Sequence, residues 1–223
     1  MRNFGIRYDG LQEPVENLIK NHANLKTSDI YTVIEIGTAG ATSLRAFYEI
    51  VKENRPDKYL VCGFDLLQCG QDYIKDLIVN FNGRPNVLKR PDLEQNPQLQ
   101  LNEMYLLLLD NPQEFIERNL FCMVDYVHID GCHCYKHVIK DFLCVENKVK
   151  SGGLVTFHDA GVEEEGTDLQ HGDSYINVRE AIRDLGLFDN KRTGWKFVAE
   201  IPGSRVTKTG TMDGNSLVVI EKL

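Results

Sequence analysis

Acidic and histidine side chains follow two apolar segments of the chain, at the point where each segment ends. Asp130 and His133 follow the first segment, and His158 and Asp159 follow the second. Carboxylates and imidazoles can bind a divalent metal ion or move a proton to and from a substrate. Taken alone, Asp130, His133 and His158 could form the two-histidine, one-carboxylate triad of a metal-dependent hydrolase or oxygenase.

The elements that precede these side chains predict that they lie together. Residues 124–129 and 153–157 have the composition of buried strands, and residues 135–150 between them have a helical pattern. A strand–helix–strand unit favours parallel strands whose carboxyl ends share one edge of the sheet. Ligands of open α/β sheets bind beyond that edge, so the acids and histidines are expected on one ligand-facing rim.

A glycine-rich turn follows the first predicted strand, residues 31–36, and precedes a predicted helix over residues 42–53. Such a turn lets a ligand approach the backbone closely. A dinucleotide fingerprint would begin at Gly37 but would need glycine where Ala39 and Thr42 stand. The sequence therefore favours a nucleoside ligand without a pyrophosphate and disfavours a nicotinamide oxidoreductase.

Further polar side chains end the next two predicted strands. Asp65 follows residues 59–64, where a carboxylate can accept hydrogen bonds from both ribose hydroxyls. Asp110 and Asn111 could meet an adenine edge, or could cap the helix that begins at Pro112, or do both.

Together these motifs resemble the class I S-adenosylmethionine-dependent methyltransferases. The resemblance is greatest to the branch that contains macrocin-type sugar O-methyltransferases and cephalosporin-hydroxylase-like proteins, and it covers residues 31 to 222. In that family Ile-Asp-Gly-Asp-His-x-Tyr is followed by a helix bearing Asp, then by Pro-Gly-Gly and His-Asp. The matching stretches here are residues 35–43, residues 127–135, Asp141, residues 150–153 and His158-Asp159.

The resemblance implies S-adenosylmethionine as the methyl donor and assigns its pocket to the strand ends. The implied donor-binding residues are Glu35, Gly37, Thr38, Ala39, Gly40, Ser43, Asp65, Leu66, Asp110, Asn111, Asp130 and His133. Within this set Glu35 and the turn would hold the methionine end, and Asp65 the ribose. The acceptor is expected to be a small molecule methylated on a hydroxyl oxygen.

Catalysis is assigned by the same resemblance to Asp130, His133 and His158. Sugar-methylating relatives bind magnesium with acids at the ends of the fourth and fifth strands, which correspond here to Asp130, His158 and Asp159. A histidine is a poor magnesium ligand, whereas manganese, iron or zinc would tolerate it. Cys132 replaces the acid that serves as proposed base in those relatives, which leaves His133 as the candidate base. The metal-dependent hydrolase or oxygenase and a non-catalytic donor-binding protein remain as alternatives.

The whole chain is expected to form one α/β domain over residues 1–223. Strand–helix alternation predicts a Rossmann-like, doubly wound and mostly parallel sheet of about seven strands with an antiparallel C-terminal strand. Residues 1–29 are expected to form a helical segment. Residues 66–103 and 161–173 are candidate insertions or lids.

Composition limits the partners and the compartment. The 223 residues carry a formal net charge of −8, which disfavours nucleic acid as a partner. No run of 18 apolar residues predicts a membrane span, and the N-terminus lacks the apolar core of a signal peptide. Homo-oligomer formation is left open.

Six cysteines, several of them in apolar patterns, suit reduced thiols in the cytoplasm rather than a disulfide framework. Cys132 and Cys134 could join His137 in a zinc site. Their spacing is tighter than the usual paired Cys-x-x-Cys arrangement, so a structural zinc is not expected.

Overall fold

One mixed sheet organises the computed structural model, and helices cover both of its faces. The structure describes residues 11–25, 30–55, 57–66, 87–89, 99–120, 122–160, 177–203 and 216–223. The strands are β1 (Tyr31–Ile36), β2 (Tyr59–Leu66), β3 (Val87–Lys89), β4 (Glu103–Leu109), β5 (Val124–Ile129), β6 (Val149–Phe157), β7 (Trp195–Ile201) and β8 (Leu217–Lys222). The helices are α1 (Gln12–Leu25), α2 (Thr42–Asn54), α3 (Pro112–Asn119), α4 (Tyr135–Glu146) and α5 (Val178–Asp184).

The strand order is β3-β4-β2-β1-β5-β6-β8-β7. Neighbours from β3 to β6 pair in parallel, whereas β8 pairs antiparallel with both β6 and β7. The predicted doubly wound sheet with an antiparallel C-terminal strand is thereby confirmed. The eighth strand is β3, a three-residue edge strand inside the segment expected to be an insertion.

Burial explains why the central segments are strands. Every residue of β1 and of β5 is buried, and both are rich in the β-branched and aromatic side chains that suit a covered pleated surface. Ile19 of α1 and Phe47 of α2 belong to the core on one face. Ile116 of α3 and Phe142 of α4 belong to the core on the other face. The result is a three-layer sandwich in which helices cover both faces of the sheet.

The boundary between α4 and β6 differs from the prediction. The sequence pattern predicts a helix to residue 150, but α4 ends at Glu146 and β6 already begins at Val149. Lys150 lies in the strand, and its Nζ donates to Asp125 Oδ2 (2.7 Å) and to the Ile30 carbonyl (3.0 Å). These contacts hold the start of β6 against the sheet, so the strand pairing overrides the local helical pattern.

Several expectations fall on residues outside those described. They are most of the candidate insertion over residues 66–103, the candidate lid over residues 161–173, and residues 1–10 and 26–29 of the N-terminal segment. The remainder of that segment contains α1, as expected. Within the described ranges, no helix combines the length and the apolar character needed to cross a membrane.

Candidate active site

The sheet changes winding direction between β1 and β5, and the candidate site lies at the carboxyl ends of these two neighbours. After β1 the chain forms β2, β3 and β4 on one side of that strand, and then crosses to its other side as β5. The Asp130 N–H donates to the Ile36 carbonyl (2.9 Å), and the His158 N–H donates to the Ile129 carbonyl (3.0 Å). Three strand ends are therefore held side by side at the crevice where α/β folds bind ligands.

Gly37 is required by the contact between two of these strand ends. Its φ is +85°, and an added Cβ would lie 2.3 Å from the Asp130 carbonyl oxygen and 2.3 Å from the Gly131 Cα. Any other residue would push the turn after β1 away from the end of β5. The glycine singled out in the sequence thus serves backbone packing as well as ligand approach.

Asp65 organises the turn after β1. Its Oδ2 accepts from the Ala39 N–H (2.6 Å) and from the Thr38 hydroxyl (3.4 Å), and its Oδ1 accepts from the Leu66 N–H (2.7 Å). Ala39 adopts a left-handed conformation with φ 43°. The carboxylate therefore supports an otherwise unfavourable turn, as well as standing where a ribose would be expected.

Gly63 in β2 completes this packing and was missed in the sequence. A Cβ at Gly63 would lie 2.5 Å from Thr38 Cγ2 and 2.7 Å from Leu44 Cδ2. The absence of a side chain therefore lets the turn lie on β2. A glycine inside an otherwise apolar strand is the signal that could have indicated this close approach.

Glu35 is a fully buried carboxylate in the central strand. Neither of its oxygens accepts a hydrogen bond of normal geometry from the described residues. Burial raises the pKa of Glu35 well above its usual value, although the nearby Ser43 hydroxyl favours the ionised form. A buried carboxylate without a hydrogen bond is costly, so its presence beside the glycine turn indicates a cationic or hydrogen-bonding ligand group.

A buried polar layer continues from β1 into its neighbours and was not predicted. His128 pairs in register with Glu35 and exchanges a 2.8 Å hydrogen bond from Nδ1 with Thr156 Oγ1. Burial lowers the pKa of His128 to about 4, so its ring is neutral at physiological pH. Tyr126 also bonds to Thr156 Oγ1 (2.9 Å). The layer supports the floor of the site without adding charge to it.

Asp130, His133, His158 and Asp159 share one rim, as the strand arrangement predicts. His158 Nδ1 lies 3.0 Å from Asp130 Oδ1 and 3.3 Å from Asp159 Oδ2. His133 Nε2 lies 3.2 Å from Asp159 Oδ2 and 3.5 Å from Asp130 Oδ1. His158 is buried behind the carboxylates, whereas His133 is partly exposed in front of them.

The charges on this rim compensate one another. Burial alone would lower the pKa of His158, but the two carboxylates outweigh it and raise the pKa to about 10. The two histidines likewise outweigh burial at Asp130 and hold its pKa well below the usual value. The pKa of His133 is raised because Asp130 and Asp159 outweigh burial there. His158 is therefore an imidazolium that neutralises part of the acidic rim.

The side chains after β4 divide between two roles. Asn111 caps α3, where its Oδ1 accepts from the Glu114 N–H (3.1 Å), so the capping interpretation holds for that residue. Asp110 is exposed at the strand end. Gln113 in the first turn of α3 donates to the carboxylate of Asp141 in α4.

Asp141 is buried beside the loop after β5. A Cβ added at Gly131 would lie 3.1 Å from its Oδ2. Burial raises the pKa of Asp141 to about 7. Asp141, the helical acid noted in the sequence, therefore packs against the loop that carries the rim residues Asp130 and His133.

A family model described as a methyltransferase domain matches residues 34–160 of the chain. A search of curated protein sequences finds none that matches this chain. The match to the family model runs from within β1 to just past the end of β6 and includes each of the strand ends described above.

Many solved structures share the fold, among them two O-methyltransferases. One is the O-methyltransferase TomG from Streptomyces achromogenes, involved in tomaymycin synthesis and solved in complex with SAM. It has a TM-score of 0.56 at 14% identity, over 94% of this chain and 79% of that chain. The other is an O-methyltransferase from Bacillus cereus solved in complex with SAH. It has a TM-score of 0.61 at 12% identity, over 96% of this chain and 81% of that chain.

Proposed function

The chain belongs to the methyltransferase-domain family, and from this premise we propose that it transfers a methyl group from S-adenosylmethionine to a hydroxyl oxygen of a small molecule. The class I methyltransferase expected from the sequence is confirmed by the family match and by the fold. The macrocin-type branch stays a prediction.

The observation that carries the proposal is the fully buried carboxylate of Glu35, which accepts no hydrogen bond of normal geometry from the described residues. S-adenosylmethionine carries an ammonium group and a sulfonium centre. Either cation would favour the ionised carboxylate in this weakly screened position. Gly37 and the turn held by Asp65 lie at the end of the same strand, so this edge of the sheet offers acidic and backbone groups where the donor is expected.

When bound, the donor supplies an electrophilic methyl group on a sulfonium sulfur. The chain contributes alignment and exclusion of water, and it removes a proton from the acceptor hydroxyl. Asp159 accepts a hydrogen bond from His133 Nε2 (3.2 Å) and so orients the imidazole. The other ring nitrogen of His133, Nδ1, is then the base that takes the acceptor proton.

The rim also carries side chains of the kinds that bind metal ions. Asp130, His133 and Asp159 each offer a ligand atom, and these atoms lie within 4.8 Å of one another. Two carboxylates and an imidazole do not suit magnesium, which prefers oxygen ligands, and suit manganese, iron or zinc better. His158, which the sequence assigned as a ligand, donates to both carboxylates from Nδ1 and brings positive charge of its own. His133 and Asp159 can therefore carry the proton transfer with their own side chains.

The expected partners and compartment also remain proposals. We propose a small-molecule acceptor, no nucleic acid and a cytoplasmic location. The net charge of −8 supports the second of these, and the free thiols among the described cysteines support the third.

Isothermal titration with S-adenosylhomocysteine, S-adenosylmethionine and NAD tests the donor assignment. We expect the first two to bind with and without divalent ions, and NAD not to bind. Binding of NAD alone would refute the proposal. Formation of S-adenosylhomocysteine with a panel of hydroxylated acceptors, with and without a chelator, separates catalysis from binding alone.

Glu35→Gln tests the observation itself. Loss of the buried charge should weaken donor binding by about 10- to 100-fold, the value of a hydrogen bond to a charged group. The same change should raise the melting temperature of the free protein, because it removes a carboxyl group whose ionisation is suppressed by burial in the folded state. Glu49→Gln, a partly exposed position on α2, is the matched control and should leave donor affinity unchanged. Unchanged donor affinity in Glu35→Gln would contradict the assignment.

A further inference from the structure

A second cluster of metal-binding side chains lies where β5 passes into α4, next to the rim but separate from it. We propose that Cys132, Cys134 and His137 form a zinc site there. The proposal does not depend on the methyltransferase activity, and it reverses the expectation drawn from sequence spacing alone.

The geometry of the loop separates the two clusters. Cys132, Cys134 and His137 each offer one ligand atom, and these atoms lie within 4.8 Å of one another. His133, between the two cysteines, instead contacts Asp130 and Asp159. Successive side chains of the loop therefore point alternately to the two clusters, as successive side chains do in an extended chain. Cys134 has the extended backbone angles φ −66° and ψ 133°.

The start of α4 explains how so short a segment brings three ligands together. Cys134 is the N-cap of the helix, and the His137 N–H donates to its carbonyl (2.9 Å). His137 therefore lies one turn along from Cys134 on the same side of the helix. Cys132 reaches the same point from the loop that precedes the helix. The spacing that looks too tight for two paired loops is suited to one loop followed by one helical turn.

The chemistry of the set selects zinc. Thiolate sulfur and imidazole nitrogen are the ligands that zinc prefers, whereas magnesium and calcium prefer oxygen. The N-terminus of a helix favours thiolates, because its exposed N–H groups carry partial positive charge. Cys134 is buried, while Cys132 and His137 are partly exposed, so a water molecule can reach a fourth position. Binding would release the thiol protons and fix the loop that carries His133.

Zinc titration of the full-length, chelator-stripped protein tests the site, with a chromophoric chelator as competitor and cobalt as an optical substitute. We expect one equivalent of zinc, a cobalt–thiolate charge-transfer band and a higher melting temperature with zinc. Cys132→Ser and His137→Asn should each weaken zinc binding by at least about tenfold. Both positions are partly exposed, so neither substitution empties the core, and far-UV circular dichroism verifies folding.

Two controls make the result specific. Cys122→Ser changes another partly exposed cysteine outside the cluster and should leave zinc affinity unchanged. Asp130→Asn changes the rim and should also leave it unchanged. The proposal is overturned if the stripped protein takes up no zinc, or if a Cys132→Ser/His137→Asn double variant binds it as tightly as the wild type. Loss of zinc in Asp130→Asn alone would place the ion on the rim and would equally overturn it.

Discussion

Among single residues, His133 has the surroundings that a general base needs. It is partly exposed, and two carboxylates contact one of its ring nitrogens, which raises its pKa above the ordinary value. His133→Gln should lower kcat by about 100- to 10,000-fold, the usual contribution of a positioned base. Affinity for S-adenosylhomocysteine, measured by calorimetry, should fall much less than kcat. An unchanged kcat would exclude His133 as the base.

The pH dependence of the wild-type rate follows from the same contacts. A general base acts in its neutral form, and the raised pKa of His133 keeps the ring protonated at higher pH than a free histidine. The rate of methyl transfer should therefore increase as pH rises through a value above that of an ordinary histidine. Asp159→Asn should move this midpoint to lower pH, because it removes one of the carboxylates that stabilise the imidazolium. A midpoint that does not move would contradict the pairing.

Asp141 gives a prediction about stability rather than rate. Burial raises its pKa to about 7, so the folded state holds the proton more tightly than the unfolded chain. The protonated carboxyl favours the folded state. The free energy of unfolding therefore decreases as pH rises from about 4, the pKa in the unfolded chain, through about 7, the pKa in the folded protein. Asp141→Asn removes the titration and keeps an oxygen to accept from Gln113. The variant should be more stable than wild type by about 1–3 kcal/mol at pH 8, with little difference near pH 4.

Denaturant unfolding at the two pH values measures this difference. Asp57→Asn, at an exposed position, is the control and should change stability by less than about 0.5 kcal/mol at either pH. Equal effects of Asp141→Asn at both pH values would show that its carboxyl does not titrate in this range.

At the scale of elements, the turn after β1 and the end of β5 are packed backbone against backbone at Gly37. Gly194 has a similar φ of +82°, but no atom of the described residues lies within 4 Å of its added Cβ. Gly194→Ala should therefore cost only the left-handed strain, about 1 kcal/mol. Gly37→Ala must also move the Asp130 carbonyl, so it should lower the free energy of unfolding by more than about 2 kcal/mol. The same change should weaken donor binding. Equal losses in thermal unfolding of the two variants would show that the contact is not tight.

The sequence predicts elements best where local pattern and tertiary burial agree. The bounds of β1 and β5 and the start of α3 coincide with the predictions, because each is a clear apolar or capped segment bounded by glycine, proline or acids. The boundary between α4 and β6 was wrong, because contacts of Lys150 with distant chain decide it. The edge strand β3 has three residues, too few to show a period.

At the scale of the whole molecule, Glu146 joins the end of α4 to the C-terminal strands. Its carboxylate accepts from Arg192 and from the Trp195 indole, and its carbonyl accepts from Lys222. The Arg192 hydrogen bonds lower the pKa of Glu146, so their stabilisation is present above the unfolded value and is lost as pH falls through the folded one. Glu146→Gln should cost about 0.5–1 kcal/mol at pH 7, and nothing in strong acid.

Urea unfolding as a function of pH checks this link. Glu114→Gln breaks a more exposed ion pair, with Arg118, and serves as the control with an expected change under about 0.5 kcal/mol. A loss for Glu146→Gln that persists below its folded pKa would mean that packing, and not charge, is responsible.

The candidate site was predictable in outline because strand order places strand ends together. That rule predicted one rim for Asp130, His133, His158 and Asp159, and their contacts confirm that they lie together. Asp65, which was assigned separately, lies near the end of β2. The sequence could not predict how deeply each side chain is buried. The neutral state of His128 and the charge on His158 depend on burial and on partners that only the assembled sheet brings near.

The position of β8 has a consequence for how the chain reaches its native state. β8 follows β7 along the chain but lies between β6 and β7 in the sheet. Until β8 arrives, the backbone of Leu154 to Phe157 is an uncovered edge, and β7 has no strand to join. A sheet edge in that state can pair with the same strand of another molecule. Substitutions that weaken β8 should therefore reduce the yield of soluble protein before they reduce the activity of the molecules that fold.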